Sequence, residues 1–357
     1  MSQAHTELIE PLLKELQRRN ATDVQITVGS PPMLRIDGHL TPSEMSKPLT
    51  GEDTSRLVRS VLGPELVDRY DANLEVDFAF PWATYGRFRG NAFFQRGDSA
   101  MALRLIPFEI PTFEQLGLPT IVQDLAQLPQ GFVLVTGPTG SGKSTTLASI
   151  IDSINEHRAV HIVTIEDPIE YVHTNKKSII NQREVGTDTH SFGNALRSAF
   201  REDPDVLLVG EMRDNETISA ALTLAETGHL VFATLHTNDA AQTMDRIIDV
   251  FPAHQQSQIR LQTSSTLQAV ISQRLIPRAS GGRCAAFEVL IANYAVRNIV
   301  RDGRTTQLRN AIATGTKDGM MTLEQCLTGL VADGVVAHEE AVQHTLHPNE
   351  VYHQRAV

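Results

Sequence analysis

The stretch Gly131–Thr145, GFVLVTGPTGSGKST, limits the possible folds of this chain more than any other. Phe132 to Thr136 carry no charge and read as a buried strand. They run into Gly137-Pro138-Thr139-Gly140-Ser141-Gly142-Lys143-Ser144, which fits the pattern G-x-x-x-x-G-K-[ST] at every fixed position. Glycines there let successive backbone N–H groups turn inward around a phosphate. Lys143 adds a mobile positive charge, and the Ser144 hydroxyl can ligate Mg²⁺. A helix expected over about 143–155 offers its positive end to the same anion, with Thr145 in its first turn. Strand, loop and helix together specify a nucleotide-binding α/β core with ATP and Mg²⁺ as cofactors.

The remainder of the chain excludes several alternatives. Its 357 residues suffice for about two domains. With 31 basic against 42 acidic residues the net charge is −11, which opposes a nucleic-acid partner. No run approaches the ~18 apolar residues of a membrane span. The start, MSQAHTELIEPLLKELQRRN, mixes acids with apolar residues and has no basic n-region, so it is not expected to be a secretory signal. Cys284 and Cys326 are the only cysteines, too few for a disulfide framework or a four-cysteine zinc site. These features are those of a cytoplasmic protein.

Along the chain, residues 8–19 carry a helical apolar stripe at 8, 9, 12, 13 and 16, and Pro11 requires the helix to begin near it. Strands are expected at Asp23–Val28, Met33–Ile36, Glu75–Phe80, Arg87–Gln95 and Met101–Ile106. Turn signals such as Asp37-Gly38 and Arg96-Gly97-Asp98 separate them, and helices are expected near 51–62 and 64–70. Residues 1–106 therefore read as a small α+β domain. Three prolines make 107–119 a linker. From 120 onward strands at 132–136, 160–165, 205–210 and 230–235 alternate with helices near 143–157, 191–201, 214–227 and 239–249. This is the rhythm of a parallel sheet covered by helices. Beyond Phe251 the expectation is a helix over 253–270, a strand pair near 271–277 and 284–291, and a mainly helical region from about 294. Little in the tail from Pro348 would order it.

Ligands of open parallel sheets sit beyond the carboxyl ends of the strands, and those ends are polar here. One strand runs into Glu166-Asp167-Pro168-Ile169-Glu170, another into Glu211-Met212-Arg213-Asp214, a third into His236-Thr237-Asn238-Asp239. Hydrolysis of a phosphoanhydride needs a group that orients or deprotonates water, and Glu211 stands where a Walker-B acid would. Gly210 occupies the place of the usual metal-binding Asp, so Glu211 is expected to serve metal and water together, with Ser144. Glu166, Asp167 and Glu170 read either as site acids or as helix caps and turn acids. His229 and His236 cannot share one metal, because seven positions along a strand separate them by ~23 Å. His236 can approach the γ-phosphate, and His229 needs a partner elsewhere, such as a subunit boundary. Arg87, Arg89 and Arg104 are either surface charge or arginines that stabilise γ-phosphate charge. The cluster Asn181-Gln182-Arg183-Glu184 and Arg197 and Arg201 carry the same ambiguity.

GPTGSGKSTT (137–146), TIEDPIEYVH (164–173), NQREVG (181–186), REDPDVLLVGEMRD (201–214) and TGHLVFATLHTNDA (227–240) resemble the Walker A, Asp box, Walker B and His box of secretion ATPases. Among them the chain most resembles the PilT family of type IV pilus retraction ATPases. The late Ala295-Val-Arg-Asn-Ile-Val-Arg301-Asp302 is similar to that family's AIRNLIRE motif. The likeness implies a PAS-like N-terminal domain, a RecA-like core and a homo-hexamer at the cytoplasmic base of a pilus machine. Implied partners are inner-membrane platform and pilus machinery proteins, and a paralogous retraction ATPase. It further implies Glu211 as catalytic acid, Glu170 and its neighbours as Asp-box residues, His229 and His236 as His-box residues, and arginines of 87–104, Arg104 among them, reaching nucleotide. Asp23-Val24-Gln25 and the late motif depart from the family pattern, which bears on motor direction. Extension or type II secretion ATPases, a nucleic-acid translocase and a non-hydrolytic accessory subunit are the competing readings.

Overall fold

The structure, a computed structural model, describes residues 8–352 except 37, 83–85 and 108. The first seven residues, Asp37 of the expected turn and the chain after Tyr352 thus lie outside the described residues. Two units meet in sequence at Glu109 and Ile110.

The first unit contains α1 (Glu10–Arg18), β1 (Asp23–Ile26), β2 (Met33–Ile36), β3 (His39–Pro42), α2 (Gly51–Val61), α3 (Pro64–Asn73), β4 (Glu75–Trp82), β5 (Gly86–Gln95) and β6 (Asp98–Pro107). Its strands form one antiparallel sheet in the order β3-β2-β1-β6-β5-β4. Strict alternation builds it: Val76, Phe78, Phe80 and Trp82 of β4 are buried while the residues between them are exposed. Ile9, Leu12, Leu13 and Leu16 pack α1 into this core. Leu8, expected in the stripe, is half exposed and lies outside the buried face, because the helix starts at Glu10 with Pro11 in its first turn. β1 stops at Ile26 rather than Val28. β3 was not expected from the sequence; HLTP is short and mostly exposed, so burial leaves no pattern in it.

The second unit holds α4 (Phe113–Leu116), α5 (Ile121–Ala126), β7 (Gly131–Thr136), α6 (Lys143–His157), β8 (His161–Glu166), β9 (Ile179–Glu184), α7 (Phe192–Ala199), β10 (Val206–Val209), α8 (Asn215–Glu226), β11 (Leu230–Leu235), α9 (Ala240–Asp249) and α10 (Ala253–Thr266). It continues through β12 (Leu267–Pro277), β13 (Arg283–Ile291), α11 (Tyr294–Arg301), α12 (Leu308–Thr314), α13 (Leu323–Ala332) and α14 (His338–Gln343). The sheet order is β13-β12-β7-β11-β10-β8-β9, parallel except for the antiparallel β13. β7 lies inside the sheet between β12 and β11 and is buried along its whole length. Phe132 and Leu134 face the cluster made with α7 to α10; Val133 and Val135 face Leu147, Ile150 and Ile154 of α6. Each such side chain contributes about 1.5–3 kcal/mol on burial, which is why an uncharged run holds this position.

Three expectations change here. The helix from 253 ends at Thr266, and Leu267 to Val270 belong to β12, where Leu267 pairs with Phe132 and Ala269 with Val133. From Ile110 the proline-rich stretch is part of the second unit, and Phe113 packs in its core with Val122 and Ile150. Residues 348–351 are tied down: Glu350 Oε2 lies 2.6 Å from Arg309 Nη2, and Val351 is buried near Leu327. An edge strand made of IINQRE, β9, was also absent from the sequence reading.

Candidate active site

All the parallel strands end at one edge, and β7 runs there into the phosphate loop. Gly137 has φ +142°, and a Cβ on it would stand 2.2 Å from the Gln273 carbonyl. Gly142, at φ +89°, would bring a Cβ within 2.8 Å of Gln273 Nε2. Glycine is required at both for backbone conformation, and at Gly137 for space as well. Gln273 and Ser272 of β12 brace the loop. Gln273 Nε2 donates to the Ser141 carbonyl at 2.8 Å, and Thr146 Oγ1 donates to Gln273 Oε1 at 2.7 Å. Thr136 Oγ1 donates to Ser272 Oγ at 2.9 Å. Pro138, Thr139 and Gly140 form the exposed tip of the loop, and Ser141 turns its hydroxyl inside.

Lys143 opens α6 and is buried, its Nζ donating to the carbonyls of Gly137 at 2.9 Å and Pro138 at 3.0 Å. Burial lowers its pKa, while Glu211 and Glu170 act in the opposite sense. Ser144 follows, half-buried, and lines a small cavity together with Leu147, Glu166, Tyr171, Gly210 and Thr234. Thr145 Oγ1 is 3.0 Å from the Tyr171 hydroxyl, joining the helix to the acidic loop after β8.

Glu211 leaves the end of β10 on a strap held from both sides. The Gly210 N–H donates to Ile165 O at 2.8 Å, Thr234 Oγ1 donates to the Gly210 carbonyl, and the Met212 N–H donates to Thr234 O at 3.1 Å. Arg213 Nη2 donates to Glu211 Oε2 at 2.6 Å, and His236 Nε2 lies 3.3 Å from Glu211 Oε1. The Arg213 guanidinium, against the opposing effect of partial burial and with help from His236, holds the Glu211 carboxyl below its usual range. Glu211 is therefore an ionised acceptor at neutral pH. Gly210 explains the departure from the Walker-B pattern: a Cβ there would meet the Glu166 Cα and the Ile165 carbonyl at 3.2 Å.

Glu166 ends β8 with Oε1 accepting from Thr164 Oγ1 at 2.7 Å and from Gln182 Nε2 at 3.3 Å. Burial pushes its pKa up to about 7 despite those bonds. Glu170 and Asp167 are exposed on the loop that follows. The polar cluster on β9 braces that loop. Gln182 Nε2 donates to Tyr171 O at 2.8 Å, Gln182 Oε1 accepts from the His173 N–H at 2.8 Å, and Glu184 Oε2 accepts from the Ile169 N–H at 3.2 Å. Arg183 and Arg197 pair with Glu202 and Glu216. Asp214 and Asp239 cap α8 and α9 through the N–H groups of Thr217 and Gln242.

The structure thus brings Gly137–Thr145, Glu166, Glu211 and His236 to one edge. His229 is at the other end of β11, where its Nδ1 lies 2.9 Å from the Leu224 carbonyl, so Nδ1 carries the proton and donates within the chain. Arg104 belongs to the first unit, with Nε donating to Asp23 Oδ1 at 2.8 Å. Gln273, Gln182, Tyr171 and Arg213 were not singled out from the sequence as bracing residues. Gln182, within the polar cluster 181–184, and Arg213, two residues from Glu211, carried a local signal, and Tyr171 stood within the TIEDPIEYVH stretch; Gln273 carried none.

The donors around the loop are hard oxygens: the Ser144 hydroxyl, the ionised Glu211 carboxylate and, further in, Glu166. That chemistry fits Mg²⁺, which takes one or two protein oxygens beside phosphate and water. Among the described residues no three His, Cys, Asp or Glu side chains gather in a way that would hold a metal by themselves. No helix among them is long and apolar enough to cross a membrane.

Residues 100–353 match the family described as "Type II/IV secretion system protein". The chain is 48% identical over 333 residues to the type IV pilus retraction ATPase PilT of Pseudomonas aeruginosa, covering 93% of this chain and 96% of that one. It is 52% identical over 311 residues to a twitching motility protein of Neisseria gonorrhoeae, covering 87% and 83%. A crystal structure of the pilus retraction motor PilT with bound ADP superposes with a TM-score of 0.89 at 50% identity, over 96% of this chain and 98% of that one.

Proposed function

Because the chain belongs to the PilT family of type II/IV secretion system proteins, we propose that it is a Mg²⁺-dependent ATPase that drives retraction of type IV pili. The observation that carries the hydrolytic part is the Glu211–His236 pair, 3.3 Å apart, beside a complete phosphate loop. ATP binds with its phosphates on backbone N–H groups of 139–144, and Lys143 transfers its bonds from the loop carbonyls to phosphate oxygens. Ser144 and Glu211 would hold the Mg²⁺, which would supply positive charge to offset that of the transferring phosphoryl group. Glu211, kept ionised by Arg213, accepts a proton from the attacking water or fixes its direction. His236 steadies that carboxylate and reaches toward the γ-phosphate. Glu166, with a pKa of about 7, can exchange a proton near neutral pH at the inner wall of the same cavity.

Work on a filament requires that ATP and ADP favour different arrangements of the protein. We assign that output to a homo-hexameric ring on the cytoplasmic face of the inner membrane, docked on pilus platform proteins. Deleting the gene and scoring surface pili tests the direction of the motor: more pili with twitching lost is expected. Absence of pili would instead make the protein an extension ATPase.

A further inference from the structure

Glu288 of β13 is a buried carboxylate that the proposed hydrolysis does not use. Its Oε1 accepts the backbone N–H of Ala240 at 2.8 Å in a fully buried contact. Ala240 is the first residue of α9, and the three residues before its cap, His236-Thr237-Asn238, come directly from the end of β11. Two more bonds close this segment: Thr237 Oγ1 lies 2.7 Å from Thr243 Oγ1, and Asp239 caps the helix. Of these anchors only Glu288 reaches the segment from another part of the sheet.

Register shows what the anchor connects. Glu288 pairs across the sheet with Ser272, Ser272 with Thr136, and Thr136 with Leu235. Gly137 of the phosphate loop follows Thr136, and His236 follows Leu235. One row therefore starts at Glu288 and passes the roots of both halves of the active site. On the other side of Glu288 stand the C-terminal helices, where Arg309 Nη2 bonds Glu324 Oε2 at 3.1 Å and Glu350 Oε2 at 2.6 Å. Burial raises the Glu288 pKa to about 7, with Asp239 and Glu324 adding to the rise and Arg309 opposing it.

We infer that Glu288 is a positioning residue for turnover, tying the start of α9 to the sheet so that His236 stays against Glu211. The inference rests on the ATPase reading, but its test does not depend on that reading alone. In full-length Glu288→Ala, amide hydrogen exchange across 236–241 should accelerate by about tenfold or more while β7 and α6 keep their protection. The turnover number for ATP should fall by about 10- to 100-fold with ATP affinity within about twofold. Glu288→Gln, whose amide oxygen still accepts from Ala240, should keep turnover within about threefold of wild type. In a His236→Ala background the further loss from Glu288→Ala should shrink to about twofold or less, since both changes act on one group. Unchanged exchange in Glu288→Ala overturns the inference, as does a fully multiplicative loss in the double variant. Should Glu288→Ala fail to fold, Glu288→Asp serves instead, its carboxylate one methylene short of Ala240 and the same outcomes expected. Wild-type protein without ATP turnover would remove the ATPase reading and leave the exchange measurement to decide the role of Glu288.

Discussion

Replacing Gln273 by alanine tests whether the phosphate loop depends on a strand more than a hundred residues away. The wild-type side chain is 4% exposed and makes two buried bonds, one to the Ser141 carbonyl and one from Thr146 Oγ1. Removing a partner from a buried polar group costs about 1–3 kcal/mol. The Thr146 hydroxyl can turn toward the Gly142 carbonyl one helical turn back, so its share falls at the low end. The Ser141 carbonyl has no such substitute. The second unit should lose about 2–4 kcal/mol in total, read from its urea transition. Only the Ser141 bond fixes the loop itself, worth about 1–2 kcal/mol of nucleotide binding, or about 5- to 30-fold in the ADP dissociation constant by calorimetry. Thr146→Val, which leaves the Ser141 bond in place, should lose stability but bind ADP within about twofold of wild type. ADP affinity unchanged in Gln273→Ala would refute the coupling of β12 to the loop, whatever happened to stability.

Glu211→Ala should bind ATP nearly as wild type while turnover falls by about a hundredfold or more, checked by single-turnover hydrolysis; near-normal turnover would remove Glu211 from its role. Lys143→Ala should lose nucleotide binding measurably by the same calorimetry, since no other cation lies in the loop 137–144. Glu166→Gln tests the raised carboxyl: the folded protein holds a proton that the unfolded chain releases from about pH 4.5, the model-peptide value, upward. Its stabilising contribution is full below that pH and disappears as pH rises through about 7, a swing of at most about 3 kcal/mol. The glutamine variant, always neutral, should therefore gain on wild type in thermal melts between pH 5 and pH 8. A gap that stays constant with pH counts against the assignment.

The nucleotide core was legible because its signals are local. A strand buried on both faces must be uncharged, glycines at positive φ cannot be replaced cheaply, and acids at strand ends follow from topology. Gly131–Thr145, Glu211 and His236 are read this way, and α6 has the bounds expected from periodicity. Less legible was anything whose meaning depends on a distant partner. The apolar run at Leu267 to Val270 fits a helix as well as a strand, and only pairing with β7 decides for β12. β9 reads as a polar cluster until β8 pairs with it, after which Gln182 and Glu184 become supports of the acidic loop.

By itself the sequence determined where the phosphate-loop pattern lies, which strand leads into it, and which acid and histidine stand at the neighbouring strand ends. These follow from spacing along single segments, where geometry is set by the period of one strand or helix. Tertiary structure alone decided that β12 supplies Gln273 to the loop, that Gly210 leaves room for Glu166, and that Glu288 reaches the start of α9. Those contacts join residues far apart in the chain, and a hydrogen bond at 2.8 Å between such residues has no period to announce it.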